Sequence, residues 1–301
     1  MTLASSVLLA AVTVGTWNGE WFPSGRAEHR AAPEIEAATI SAAGRLLRES
    51  LAKADPAGTN DVILCLNEMR GPKAARSLCE AIGRKDLRIV SISGYRRRDR
   101  FDMQQDAIAT TLPVAEASWS KWKNAKADTP PRGYAHALVV VNPATTAAVY
   151  AVHLKSNYGQ TTDELVERNR KKRSLAVTQL IEQEKKFRGK SARPVVIAGD
   201  FNADRWGKAF SQETIFADLD AAGYTDVLSL LPPDGRATHR SGGRWGNSTL
   251  DYIMLKGPVP LQSPVILPAD GISDHNPVFV NIDFPEPQPK RPARKTSAKG
   301  D

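Results

Sequence analysis

The sequence predicts a mixed-sheet α/β domain. Segments of helical period alternate with short β-rich runs along most of the 301 residues, as expected for sheets covered by helices. Ala137 to Val141 and Ala147 to His153 flank Asn142-Pro143 as the arms of a hairpin, so the sheets are not purely parallel. Pro194 to Asn202 reads Pro-Val-Val-Ile-Ala-Gly-Asp-Phe-Asn, an apolar run of strand length that ends in polar residues. At 41% hydrophobic and 25% charged, the chain can bury a large core as one α/β domain or two small ones.

Taken in order, Ala11 to Trp17 is expected as a strand ending in Trp17-Asn18-Gly19-Glu20. Ile35, Thr39, Ala43, Leu47 and Leu51 recur every fourth residue behind Pro33, marking one helical face. Asp61 to Leu66 is β-rich and runs into Asn67-Glu68-Met69-Arg70. Pro72 opens a helix with the stripe Ala75, Leu78, Cys79 and Ile82, closed by Gly83. Leu87 to Ser93 and Ala107 to Thr111 are the next strands, separated by the basic loop Arg96, Arg97, Arg98, Asp99, Arg100. After the hairpin, Thr161 to Glu164 fits a capping box, so a long helix begins near Thr162. Its stripe is Leu165, Asn169, Arg173, Val177, Leu180, Ile181 and Glu184, polar at the start. Asn169 and Arg173 are therefore expected to face inward and tie down the loop after His153, with Arg168, Arg170, Lys171 and Lys172 in solvent. A helix using Ile215, Leu219 and Ala222, a loop through Thr238, His239 and Trp245, and strands at Leu250 to Leu255 and Asn276 to Ile282 complete the domain. No repeat is present.

The domain is expected over residues 11–284, after an apolar extension at 1–10 and before a basic Pro/Lys/Arg-rich tail at 285–301 that is too poor in apolar residues to fold. The net charge is +8; the tail, with five Lys/Arg against two Asp/Glu, accounts for +3 and leaves +5 on the body. This balance favours a polyanionic partner. Cys65 and Cys79 give no metal-finger spacing and are read as reduced core thiols. No apolar run is long enough to span a membrane. Leu3 to Val14 resembles the centre of a signal peptide, but no Lys or Arg precedes it and part of it must serve as the first strand. Cytoplasmic and exported locations both stay open.

Polar residues gather at strand ends: Asn18, Glu68, His153, Asp200 with Asn202, Asp251, and Asp274 with His275. Such a gathering marks a site. Carboxylates and carboxamides without a cysteine ligand suit a hard cation better than structural zinc, and the histidines add proton transfer near neutral pH. No Gly-x-Ser-x-Gly elbow and no Gly-x-x-x-x-Gly-Lys loop occur, which argues against a serine hydrolase and against nucleotide-driven chemistry.

Trp17-Asn18, Asn67-Glu68, His153-Leu154-Lys155-Ser156, Gly199-Asp200-Phe201-Asn202, Leu250-Asp251-Tyr252-Ile253 and Ser273-Asp274-His275-Asn276-Pro277-Val278 follow one another in an order that resembles the endonuclease/exonuclease/phosphatase (DNase I-like) superfamily, from about Val12 to Asp283. The resemblance implies a four-layer sandwich, two mixed β-sheets face to face with helices outside, and a divalent-metal-dependent phosphodiesterase. It implies Glu68 as the principal metal ligand, with Asn18 and Asp274 close by, for Mg²⁺ or Mn²⁺, with Ca²⁺ a further candidate. Asp200 and Asn202 would orient or deprotonate the attacking water and hold the phosphate. His275 would contact the scissile phosphate with its tautomer fixed by Asp251, and His153 would be a second phosphate donor or a leaving-group acid.

Nucleic acid is the substrate favoured by the basic body, with endonuclease cleavage expected. Arg70, two residues after Glu68, is expected on the same side of the strand end, and the Arg96 to Arg100 loop could grip a strand. Arg132, Tyr134 and Trp245 supply possible stacking and gripping groups at the rim, and Lys155 and Asn157 follow His153 as further substrate contacts. A phosphomonoesterase, a lipid or inositol phosphate phosphodiesterase, and a silent nucleic-acid-binding module on the same scaffold are the alternatives. The inositol-phosphatase branch usually has Asp-Arg where this chain has Asp251-Tyr252. No protein partner is indicated, and a monomer is expected.

Overall fold

The computed structural model describes residues 11–25, 31–97, 100–101, 104–188, 193–241 and 246–284. The extension at 1–10, Arg98, Trp245 and the tail at 285–301 lie outside them. Two mixed sheets pack face to face. The first contains β1 (Val12–Phe22), β2 (Asp61–Met69), β3 (Arg88–Ile92), β4 (Gln105–Thr110) and, late in the chain, β10 (Val278–Asp283). Their order is β10-β1-β2-β4-β3, with two-residue strands at Val259–Pro260 and Val265–Ile266 added beside β10. The second contains β5 (Val114–Lys121), β6 (Gly133–Asn142), β7 (Thr145–His153), β8 (Val195–Asp200) and β9 (Asp251–Lys256), in the order β9-β8-β7-β6-β5. β1 runs parallel to β2 and β8 parallel to β7; the other pairings among these strands are antiparallel.

Side-chain alternation builds the layers. On β2, Val62, Leu64 and Leu66 belong to the outer core under α1 (Pro33–Ala54) and α2 (Pro72–Ile82), while Ile63 and Cys65 belong to the core between the sheets. On the second sheet, Tyr150, Ile197 and Met254 occupy one face and Val149, Ala198 and Ile253 the other, as a period of two requires. α3 (Asp163–Arg188) and α4 (Ile215–Ala221) contribute Val177, Leu180, Ile215 and Leu219 to the same large core. Each such side chain, fully buried, contributes roughly 1.5–3 kcal/mol. The layer order is helices, sheet, sheet, helices.

Pro33 and Pro72 begin their helices, and Gly83 ends α2 in the left-handed conformation at φ 83°. Thr162 Oγ1 accepts from Leu165 N (3.3 Å) at the start of α3. Ile35 and Leu165 depart from the expected stripes: at 58% and 40% exposed they lie in first turns, before the helices reach the core. β5 carries no sequence signal because it is an edge strand. Its residues are largely exposed and it is held by backbone pairing to β6, so there is no buried row to alternate with. Cys65 and Cys79 are free and belong to different cores, on opposite faces of the first sheet; burial pushes the Cys79 thiol up to about 12.

Candidate active site

The inward rows of the two sheets meet at one end of the sandwich. On the second sheet Asp200 lies between His153 and Asp251 in register, so all three extend a row whose earlier members are Ala151, Ala198 and Ile253. Asn18 continues the inward row Val12, Val14, Thr16 on β1, and Asn67 continues Ile63 and Cys65 on β2.

Simple alternation would send Glu68 outward. Instead both ladders of β2 are irregular here, and Glu68 takes φ 59°, so a left-handed residue in a bulge returns its carboxylate to the cleft. Of six described non-glycine residues with positive φ, five cluster at the site and its rim: Glu20, Trp21, Glu68, Arg132 and Asn202. Strained backbone of this kind persists only where surrounding contacts hold it, and it gathers at functional sites.

Asp200 is the hub. Its Oδ2 accepts from Asn18 Nδ2 (3.0 Å) and Asn202 Nδ2 (2.9 Å), and its Oδ1 accepts from Asn202 N (2.8 Å). Asp200 and Asn202 do share a side, through a tight turn rather than extended backbone. Asn67 ties the sheets together: its Oδ1 accepts from Asp200 N (3.1 Å), while its Nδ2 donates to Val152 O (3.0 Å) and Asp106 Oδ1 (2.7 Å). Tyr95 Oη closes the network on Asp106 (3.0 Å). Asn67, Tyr95 and Asp106 were not among the expected site residues. Asn67 had a legible signal, since it extends an inward row, whereas Asp106 and Tyr95 are joined to the site by tertiary contact alone.

Glu68 Oε2 accepts from Trp21 N (3.1 Å), and its Oε1 lies 3.7 Å from His153 Nε2, which is 3.5 Å from Asp200 Oδ2. Asn18 directs its amide nitrogen at Asp200 and, at 3.5 Å, at Glu68, and turns its oxygen to Glu20 N. In this arrangement it bridges two carboxylates and would have to rotate its amide to act as an oxygen ligand. His275 Nδ1 meets Asp251 Oδ2 at 2.7 Å, and its Nε2 faces Asp200 Oδ2 (3.9 Å) and Asp274 Oδ1 (3.8 Å). Trp17 Nε1 and Ser273 fix this segment through His275 O, Asn18 O and His275 N.

Burial governs the charges. It raises Glu68, against hydrogen bonding from Gln104 and the charges of Arg132 and His275, and it raises Asp200 to about 7. Burial lowers His275, but the carboxylates of Asp251 and Asp200 outweigh it and bring the imidazole to about 10. Burial first, and then the charges of Arg132, His275 and Lys155, hold His153 well below the usual histidine value. A lowered value favours the neutral imidazole, whose N–H remains a hydrogen-bond donor.

The expected substrate contacts divide. Arg132 is a brace: its guanidinium donates to His153 O (3.1 Å), Leu154 O (2.7 Å) and Gln104 Oε1 (2.8 Å). Lys155 is half-buried, with Nζ on Ser156 O, and desolvation lowers it to about 8. Asn157 Oδ1 is held by Arg173 Nη1 (3.1 Å). Arg70 Nη2 reaches Gly25 O (2.9 Å). Tyr134 faces away from the site. It pairs with Val152, meets Tyr150 edge-to-face and Trp122 at a tilt, and lines a recess with Gln179 and Glu182 of α3. The Asn169 and Arg173 expectation holds. They are 5% and 0% exposed; Asn169 Nδ2 donates to Ser156 O (3.1 Å), and Arg173 reaches Lys155 O and Asn157 and pairs with buried Glu213. Lys171 is exposed.

The cleft fits a hard divalent cation. It concentrates buried carboxylates, and Asp274 Oδ1 has no hydrogen-bond partner among the described residues. Glu68 and Asp274, with Asn18 after amide rotation, supply the oxygen donors such an ion takes.

A family model described as "Endonuclease/Exonuclease/phosphatase family" matches residues 15–275. No curated protein matches the sequence. Among solved structures, an endonuclease/exonuclease/phosphatase family protein from Leptotrichia buccalis aligns at 15% identity and TM-score 0.59 over 91% of this chain and 100% of that one. A humanized D. rerio TDP2 gives 16% and 0.59 over 91% and 99%, and the human Nocturnin catalytic domain with bound sulfate 16% and 0.59 over 91% and 95%. At these identities the likeness concerns the fold.

Proposed function

The chain belongs to the endonuclease/exonuclease/phosphatase family of phosphoester hydrolases, and from that premise we propose that it is a divalent-metal-dependent phosphodiesterase that cleaves nucleic acid, acting as an endonuclease by in-line attack of water. The observation that carries this is the joining of Asp200, on one sheet, to Asn18 and Asn67 on the other, between His153 and His275 and beside Glu68.

Asp200 is the group that orients the attacking water and accepts its proton. Its carboxylate is fixed by three donors, and a pKa near neutrality suits a general base. Asn202 keeps that carboxylate in place and borders the phosphate position. His275, charged and steered by Asp251, donates from Nε2 to a non-bridging oxygen as negative charge grows there, and neutral His153 is a second donor. Glu68 and Asp274, with Asn18, would hold the Mg²⁺ or Mn²⁺, which when bound offsets charge on the phosphoryl oxygens. Arg132 keeps the His153–Leu154 backbone in position. The net charge of +8 supports a polyanionic substrate. Asp251-Tyr252 in place of Asp-Arg weighs against an inositol phosphatase. No helix among the described residues is long and apolar enough to cross a membrane, and a monomer is in keeping with this reading.

The test is a panel of plasmid DNA, single-stranded DNA, RNA, inositol phosphates and sphingomyelin with Mg²⁺, Mn²⁺, Ca²⁺ or EDTA, with Asp200→Asn as control. Metal-dependent cleavage of the nucleic acids is expected. Cleavage of only the inositol or lipid substrates would overturn the nuclease reading.

A further inference from the structure

His239 takes no part in the chemistry above, yet the fold presses it against the reaction centre. His239 N donates to Ser248 O (2.9 Å) and Ser248 N to His239 O (3.0 Å), while Arg240 N donates to Asp274 O (2.9 Å). An antiparallel bridge sets His239 opposite His275, and the two imidazole centroids are 4.7 Å apart. Each ring is held through Nδ1: His275 by Asp251 Oδ2 at 2.7 Å, His239 by Ser248 Oγ at 3.2 Å. Both Nε2 atoms are thereby aimed at the Asp274 carboxylate, His239 at 3.7 Å from Oδ2 and His275 at 3.8 Å from Oδ1. The three donors all lie within 4.8 Å of one another.

Anchoring of the far ring nitrogen is the arrangement that fixes metal-ligating histidines. Metal–ligand bonds of about 2.1 Å place neighbouring donors roughly 3.0–3.4 Å apart, so a small rotation of these side chains closes the set. Two imidazoles and one carboxylate suit borderline transition ions and not Mg²⁺. An ion can enter, because the Asp274 and His239 side chains are 43% and 20% exposed.

We propose that His239, Asp274 and His275 form a second cation site, selective for a borderline divalent ion such as Co²⁺ or Zn²⁺, that shares the Asp274 carboxylate with the Mg²⁺ position and makes no use of Glu68. The consequence for activity rests on the phosphodiesterase reading. An ion on His275 Nε2 displaces that nitrogen's proton to solvent and occupies the atom assigned to the phosphate, so Zn²⁺ inhibits the Mg²⁺-supported reaction.

The site itself is tested by binding. Co²⁺ is titrated into the full chain in excess Mg²⁺ while the visible absorption of nitrogen-ligated Co²⁺ is followed. Wild type is expected to saturate at one equivalent. His239→Asn is expected to weaken binding more than tenfold, Ser248→Ala about tenfold through the loosened ring, and Glu68→Gln is expected to leave it in place. Far-UV circular dichroism checks the fold, and Ser248→Ala decides the matter if His239→Asn does not fold. An unchanged affinity in the deciding variant, no nitrogen-ligated spectrum in wild type, or loss of the site in Glu68→Gln would overturn the proposal. Hydrolysis plays no part in this readout, so a protein that binds Co²⁺ as described but cleaves nothing refutes the catalytic reading alone.

Discussion

Asp200 and His275 hold opposite charge tendencies in the same small volume. Burial drives Asp200 up to about 7, while the neighbouring carboxylates carry His275 to about 10 in spite of burial. Asp200→Asn removes the proton acceptor and is expected to lower kcat by about 10²–10⁴, measured on whichever substrate of the panel is cleaved. For His275 the sign is as follows. Its folded-state pKa lies above the ordinary 6.5, so its contribution to stability is full below about pH 6.5 and is lost as pH rises through about 10. Asp251→Asn should bring the His275 titration down toward the ordinary value in NMR of the metal-free protein, and should flatten the fall in stability over that window. An unmoved titration would show that Asp251 is not the group that holds the proton on His275.

At the scale of elements, the long helix α3 does more than cover a sheet. Arg173, wholly buried, clamps the Lys155–Asn157 loop to Glu213 ahead of α4. Arg173→Met leaves the Glu213 carboxylate buried without its partner, at a cost of about 3–5 kcal/mol. Chemical denaturation should report it, and kcat/KM should fall further than stability alone accounts for, because the loop begins beside His153. β7 and β8 make a second demand. Gly199 has φ 147°, and a Cβ there would sit 1.9 Å from Val152 O. Gly199→Ala is therefore expected to push the two strands apart and abolish soluble expression or cooperative unfolding, whereas Gly58→Ala, in open space at a turn, should cost about 1 kcal/mol for its left-handed backbone.

For the molecule as a whole, the helices and the principal strands were legible because their burial repeats with period. α2 runs from Pro72 to the residue before Gly83, as its flanking residues announce. The sheet-end residues were legible because polar groups terminate apolar runs. What escaped had other causes. β5 is an exposed edge strand held chiefly by pairing to β6, and although Glu68 itself was expected at the site, the way its carboxylate reaches the cleft depends on a bulge whose positive φ no periodicity records. As an aromatic residue Tyr134 is expected to stack at the rim, whereas register with Val152 places it on the helix side. Asp106 and Tyr95 enter the site through tertiary hydrogen bonds only. The packing of carboxylates also makes a global prediction. Mg²⁺ at a hundredfold excess over its Kd should stabilise the fold by about 2.7 kcal/mol, a rise in Tm of roughly 5 °C or more for a domain of this size. EDTA should reverse it and Glu68→Gln should abolish it, both followed by differential scanning calorimetry.

β1, the first strand of the domain, has β10 as its antiparallel neighbour, and Thr13 Oγ1 reaches Asn281 Oδ1 across 268 residues of chain. Asp274 and His275 sit on the segment that leads into β10. During synthesis, therefore, one flank of the first sheet stays open and the cleft stays incomplete until almost the whole domain has emerged. A ribosome is itself a large phosphodiester polymer held close to the nascent chain. An enzyme of the proposed kind, built in this order, gains its hydrolytic capacity only once the last strand of the domain is in place.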